Sequence, residues 1–144
     1  MKLEEILSVS GKPGLYKLIS QSKSNFIVES LVDKKRFPVF QNHQVSSLDN
    51  ISVFTEDEPI PLMEVFSKIF HKENGKNTPD FNNDIKQIES YIAEILPEYD
   101  KERVYPKDMK KMIQWYNLLL DNGYITEESV GEYLKTKEEE TKEE

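Results

Sequence analysis

The sequence has no cysteine and only two histidines, His43 and His71. Without thiols there is no disulfide, no thiolate zinc site and no cysteine nucleophile. Two imidazoles are too few for a histidine-rich metal site. Glycine is scarce, at Gly11, Gly14, Gly75, Gly123 and Gly131. No dinucleotide fingerprint and no phosphate-binding P-loop can be drawn through those positions. The glycine-serine-glycine spacing of a nucleophile elbow is missing as well. No apolar run approaches the roughly 20 residues that a membrane helix needs. The start, Met1-Lys2-Leu3-Glu4-Glu5, meets acid at once and lacks the apolar core of a signal peptide, so a cytoplasmic protein without a membrane role is expected.

What is present is charge and aromatic bulk. The 144 residues hold 19 Lys and Arg against 27 Asp and Glu, a formal net charge of −8. Seven Phe, seven Tyr and Trp115 supply enough volume for a modest core. The charge is uneven. Residues 1–55 carry 7 basic and 5 acidic side chains, a net of +2. Residues 56–144 carry 12 and 22, a net of −10, and residues 127–144 alone carry 3 and 8, a net of −5. An acidic balance disfavours nucleic-acid binding, whose affinity comes mostly from basic excess.

The first third reads as strands. Leu3, Ile6 and Leu7 suit either a short helix or a first edge strand, and Gly11-Lys12-Pro13-Gly14 then breaks regular structure as a tight turn. Leu15–Ile19, Phe26–Val32, Arg36–Phe40 and Ile51–Thr55 are short β-branched and aromatic runs between polar turns, the signature of a hairpin meander. Pro38 confines its strand to an edge or a bulge. Four or five strands in so short a span suggest an SH3-like or Tudor-like barrel over residues 1–57.

The rest reads as helices. Leu62, Val65, Phe66, Ile69 and Phe70 repeat at helical spacing, giving a connecting helix and linker over 58–78, with residues 73–78 as the linker. A helical domain follows over 79–135. Thr78 is expected to cap its first helix, with the stripe Phe81, Ile85, Ile88, Ile92, Ile95 ended by Pro97. The next helix starts at Pro106, carries Met109, Met112, Ile113, Tyr116, Leu119 and Leu120, and stops at Asn122-Gly123. Thr126 caps a short last helix. Residues 136–144 are Lys, Glu and Thr only and are expected to be a disordered acidic tail. The fold class is α+β.

Two segments stand out as candidate partner surfaces. Lys34, Lys35, Arg36 and Phe37 combine cations with an aromatic at a hairpin tip, as in small barrels that bind extended peptides or nucleic acid. Trp115 and Leu118 lie outside the main stripe of their helix. They widen its apolar arc beyond what one neighbouring helix covers, so the barrel or a second copy is expected against them. His43 in a polar connector, His71 at a helix end and the acidic run Glu56-Asp57-Glu58 carry no chemistry-bearing pattern.

The segment Met1–Leu15, together with Ile27-Val28-Glu29-Ser30-Leu31, Leu96-Pro97-Glu98-Tyr99-Asp100 and Lys110–Leu119, resembles a family of short Bacteroidota proteins, a domain of unknown function. The resemblance implies a bacterial cytosolic protein and brings no catalytic residues. Residues 115–134, through Leu118-Leu119-Leu120-Asp121-Asn122-Gly123-Tyr124, are similar to a short C-terminal helical hairpin linked to oligomerisation. The functional expectation is a non-enzymatic interaction module with a protein partner and with no catalytic residue, metal or cofactor. The alternative is nucleic-acid or ribonucleoprotein association through the barrel. A monomer is favoured, with a weak homodimer as the other state.

Overall fold

The structure is a computed structural model. It describes residues 5–9, 11–12, 14–40 and 44–143, with side chains to residue 139. His43 and Leu3 lie outside the described residues. The chain divides into two compact units, Lys2–Ser52 and Val53–Glu144.

The first unit is a five-stranded antiparallel sheet. Its strands are β1 (Ile6–Val9), β2 (Tyr16–Gln21), β3 (Asn25–Ser30), β4 (Arg36–Phe40) and β5 (Val45–Ser47), in the order β4-β3-β2-β1-β5. The ladders leave β4 and β5 at the two ends, and no pairing among the described residues closes the sheet. The α+β class therefore holds, while the unit is seen as an open sheet. The segment from Ile6 is an inner strand, paired to β2 on one side and to β5 on the other. The fifth strand is Val45–Ser47, within the polar connector, and not Ile51–Thr55. One apolar residue hides a strand from periodicity. The strand forms because β1 offers it a free ladder, with Leu7 opposite Ser47 and Val9 opposite Val45. A 3-10 turn at Leu48–Asn50 follows and buries Leu48.

Leu7, Val9, Tyr16, Val28 and Val39 form the sheet's core, with Leu18, Phe26, Phe37 and Val45 packed at its rim. Pro38 sits on the end strand, as its chemistry requires. The Ser30 N–H donates to the Lys35 carbonyl at 2.9 Å, so Ser30–Lys35 is a hydrogen-bonded pair. Alternation along the ladder makes Ile27–Pro38 a non-bonded pair, and the missing N–H of Pro38 falls on the open side of β4. That gap, with the charged Arg36 beside it, blunts the edge against strand addition.

At the boundary β6 (Ser52–Val53) pairs with β7 (Ile60–Pro61) in a two-stranded ribbon. Four helices follow: α1 (Leu62–Lys72), α2 (Ile85–Ile95), α3 (Pro106–Asp121) and α4 (Glu127–Glu143). The connecting helix of the sequence reading is a core element. α1 packs against α2, α3 and α4 and buries Leu62, Met63, Val65, Phe66 and Ile69. It is a second neighbour of α3 beside α2.

Residues 73–78 are not a loose linker. Gly75 turns the chain at φ 79°, and the Tyr116 hydroxyl donates to the Lys76 carbonyl at 2.8 Å. Asn117 holds Thr78 twice: its Oδ1 accepts the Thr78 N–H at 2.9 Å, and its Nδ2 donates to Thr78 Oγ1 at 2.9 Å. α2 begins seven residues after Thr78, at Ile85, with Asp84 as its cap. The Asp80 carboxylate accepts the Asn82 N–H at 2.9 Å, and Asn82 and Asn83 stand at φ 50° and 60°. Two left-handed asparagines and a side-chain turn stop a helix from starting at Pro79. Thr126 and Ser129 cap α4 reciprocally, each side chain accepting the other's backbone N–H, at 2.8 and 3.0 Å. α4 runs past Lys135, where a disordered tail was expected. Glu and Lys are strong helix formers, and Lys137 pairs with Glu64 of α1.

Gly75→Ala tests the strap. The added Cβ would lie 3.3 Å from the Phe70 ring at a backbone angle that side chains avoid. A loss of about 1–2 kcal/mol in urea unfolding is expected, and an unchanged midpoint would contradict it.

Candidate functional site

The two sequence-derived candidate sets fall in different units. In the sheet unit the β3–β4 turn is closed by the Lys34 N–H donating to the Ser30 carbonyl at 3.0 Å, and Lys34 stands at φ 64°. The Asp33 carboxylate accepts the Lys35 N–H at 3.0 Å. Lys34 and Lys35 are exposed at this tip. Arg36 is directly opposite Glu29 on β3 and forms a 3.6 Å ion pair with it. An exposed pair of this length adds little stability.

Phe37 faces the other way. Its ring meets Tyr16 edge-on, with centroids 5.3 Å apart, and the Lys12 ammonium stands 4.5 Å above it. Lys12 is the residue that sequence reading missed. It was seen only as part of a turn, and a contact from the β1–β2 loop across to β4 leaves no trace in local pattern. Burial and then the charge of Asp33 raise the pKa of Tyr16, so its hydroxyl stays neutral. The result is a rim aromatic, Phe37, set between the core residue Tyr16 and the Lys12 cation. Such a surface offers apolar contact and N–H donors for an anion together.

In the helical unit Trp115 is 8% exposed and Leu118 is half-buried. Its ring is a buried side chain of α3, in keeping with packing inside the chain. The wide apolar arc of α3 packs against both α1 and α2. Phe66 meets Tyr116 at 6.5 Å, while Phe81 meets Tyr91 edge-on at 5.2 Å.

The most perturbed titratable groups are also here. The Tyr91 hydroxyl donates to the Glu73 carboxylate. Burial, and then that bond to an anion, raises the Tyr91 pKa far above its ordinary value. Burial and the charge of Glu73 push Tyr116 up to about 12. Lys72 bonds Glu94 at 2.6 Å and lies over the Tyr91 ring at 5.5 Å. Both tyrosines serve as neutral donors that tie the 73–78 strap to α2 and α3. Among the described residues no three His, Asp or Glu side chains are grouped so as to hold a metal ion, and no helix is long and apolar enough to cross a membrane.

The architecture is thus an α+β protein of two compact units, an antiparallel sheet and a helical bundle. Residues 3–48 match a domain of unknown function (DUF5606), and residues 51–119 match a second domain of unknown function (DUF6852). The two matches follow the two units. A solution NMR structure from Bacteroides vulgatus, a structural genomics target, is 44% identical with a TM-score of 0.67, covering 86% of this chain and 89% of that one. The comparison with curated proteins gives no match. The chain belongs to this Bacteroidota family of two successive domains of unknown function.

Both tyrosine pKa values are raised, which sets the sign of a pH effect. The folded chain keeps these protons where the unfolded chain, with its ordinary value of 10, loses them. Their contribution is fully present below pH 10 and is lost as pH rises toward about 12. Urea titrations from about pH 9 to about pH 12 should show falling stability. Tyr116→Phe should lower stability near neutrality by about 1 kcal/mol and flatten part of that fall.

Proposed function

We propose that this protein is a non-enzymatic interaction module whose sheet unit binds a segment of another protein. One observation carries the reading: Phe37 stands at the rim of the core with Tyr16 on one edge and the Lys12 ammonium 4.5 Å above it. Rigid aromatics held beside a cation are the anchors on which peptide-binding surfaces depend. Lys34 and Lys35 extend the basic face toward the hairpin tip. In this reading the sheet is a small, partly open barrel of SH3 type, because β5 returns to β1 after a four-stranded meander. The blunted edge of β4 favours recognition through side chains over strand addition. The protein works in the cytoplasm as a monomer. The packing of α3 on α1 supports the monomer, since that arc then needs no second copy.

Nucleic acid is the other reading, favoured only by the +2 charge of residues 1–55. It lacks the basic excess such binding draws on.

A native pull-down from a bacterial lysate tests the proposal, with the full chain, Phe37→Ala and Lys35→Glu compared side by side. A stoichiometric protein partner is expected with the native chain. Phe37→Ala should weaken its capture by about 1–2 kcal/mol of binding energy while the thermal midpoint of the helical unit is kept. No partner, or one held equally by both variants, overturns the assignment. Salt-sensitive binding of single-stranded RNA, lost in Lys35→Glu, would replace it with the nucleic-acid reading.

A further inference from the structure

The strap that crosses α3 leaves a cleft behind it in the helical unit. Its volume is about 350 Å³, and it runs between residues 77–83 and the first three turns of α3. Pockets that hold ligands begin at about this size. Its floor is apolar, made by Ile88 and Ile113, both buried, with the Phe81 ring at one end. Its rim is a set of polar side chains: Asn82, Asn83, Gln114 and Lys110.

Three observations bear on what would fill it. The first is carboxamide density. Asn82, Asn83 and Gln114 are exposed around an apolar floor, and a carboxamide donates and accepts at once, as a peptide group does. The second is charge. Among the described residues none pairs with the Lys110 ammonium, which is half-buried at the rim. Lys107 lies one turn before it in the first turn of α3, where the helix dipole disfavours a cation. Lys107 lies over the Tyr105 ring at 5.9 Å, which leaves Lys110 as the cation on the rim of the cleft, in a half-chain whose net charge is −10. Asp80 also borders the cleft on the side of the strap, where its Oδ1 accepts the Asn82 N–H and its charge stays on the wall, so a ligand carboxylate is drawn to Lys110 and away from residues 80–82. The third is rigidity. Asn117 clamps Thr78 through two 2.9 Å bonds, the Tyr116 hydroxyl anchors Lys76, and Phe81 rests against Tyr91. The wall is thus set before any ligand arrives, which limits the entropy lost on binding.

We propose that this cleft binds an extended peptide segment carrying a carboxylate next to an apolar side chain. The apolar side chain rests on Ile88, Ile113 and Phe81. The carboxylate meets Lys110, with Lys107 extending the positive face. The peptide groups pair with Asn82, Asn83 and Gln114. The site lies outside the sheet unit and does not depend on the reading of Phe37.

The test is an amide-resonance titration of the full ¹⁵N-labelled chain with a Glu-Leu-Glu-Leu-Glu-Leu hexapeptide. Saturable shifts are expected at residues 79–83 and 110–117. Replacing each Glu of the peptide by Gln should weaken binding about tenfold, a comparison that needs no variant to fold. Lys110→Glu should weaken it by a similar factor, while Lys135→Glu, an equal change of charge on α4, should leave it unchanged. Asn83→Gly keeps the left-handed backbone and should also weaken it. Lack of saturable shifts up to about 1 mM peptide, or equal loss in Lys135→Glu, overturns the proposal. Free glutamate binding as tightly as the peptide would make this a small-molecule site, and tighter binding of oligothymidylate would make it a nucleic-acid site. Either result overturns the peptide assignment.

Discussion

The helical unit depends on the burial of one stripe. Leu62, Val65, Phe66 and Ile69 put the apolar face of α1 against α2, α3 and α4. Each fully buried aliphatic side chain contributes roughly 1.5–3 kcal/mol. Ser67, buried in the same helix, is satisfied by donating to the Met63 carbonyl at 2.9 Å, so the packing leaves no polar penalty there. Once α1 is held, the strap after it is short enough to be fixed at both ends. Gly75 turns it back and Asn117 catches it at Thr78. The tyrosine network and the cleft both follow from that geometry.

The sheet unit rests on a different constraint, the pairing of β1 with two neighbours at once. β1 is the strand through which a four-stranded meander gains its fifth member. Val9 opposite Val45 adds the apolar contact that a three-residue strand needs. The rim of this core is where Phe37, Tyr16 and Lys12 gather. They come from β4, β2 and the β1–β2 loop, so no local segment contains the arrangement.

The candidate sites show how far sequence reaches. Lys34, Lys35, Arg36 and Phe37 were legible because cations in a turn beside an aromatic strand form a local pattern. Their division was not: Arg36 turns to Glu29 on one face, and Phe37 turns to Tyr16 on the other. For Trp115, helical periodicity reported the width of an apolar arc and could not say that α1 and α2 share it. The asparagine pair Asn82-Asn83 was passed over, because the stripe from Phe81 to Ile95 reads as one helix, while both residues turn the chain at positive φ. The pair's consequence, a wall facing α3, was not legible either, since Asn117 lies 39 residues away from Thr78.

Sequence alone determined the α+β class, the first and third helices to within a residue or two, the place of Pro38 on an end strand, and the family. These rest on periodicity, turn chemistry and the conformational limits of Pro and Gly, all of which act over a few residues. Tertiary structure decided the rest. It recruited Val45–Ser47 as a strand, made α1 a core helix, delayed α2 to Ile85 and assembled both the aromatic rim and the cleft. Each of those outcomes turns on a partner distant in the chain. A free ladder, a second packing face or a carboxamide on another helix adds an energy that a local window does not contain.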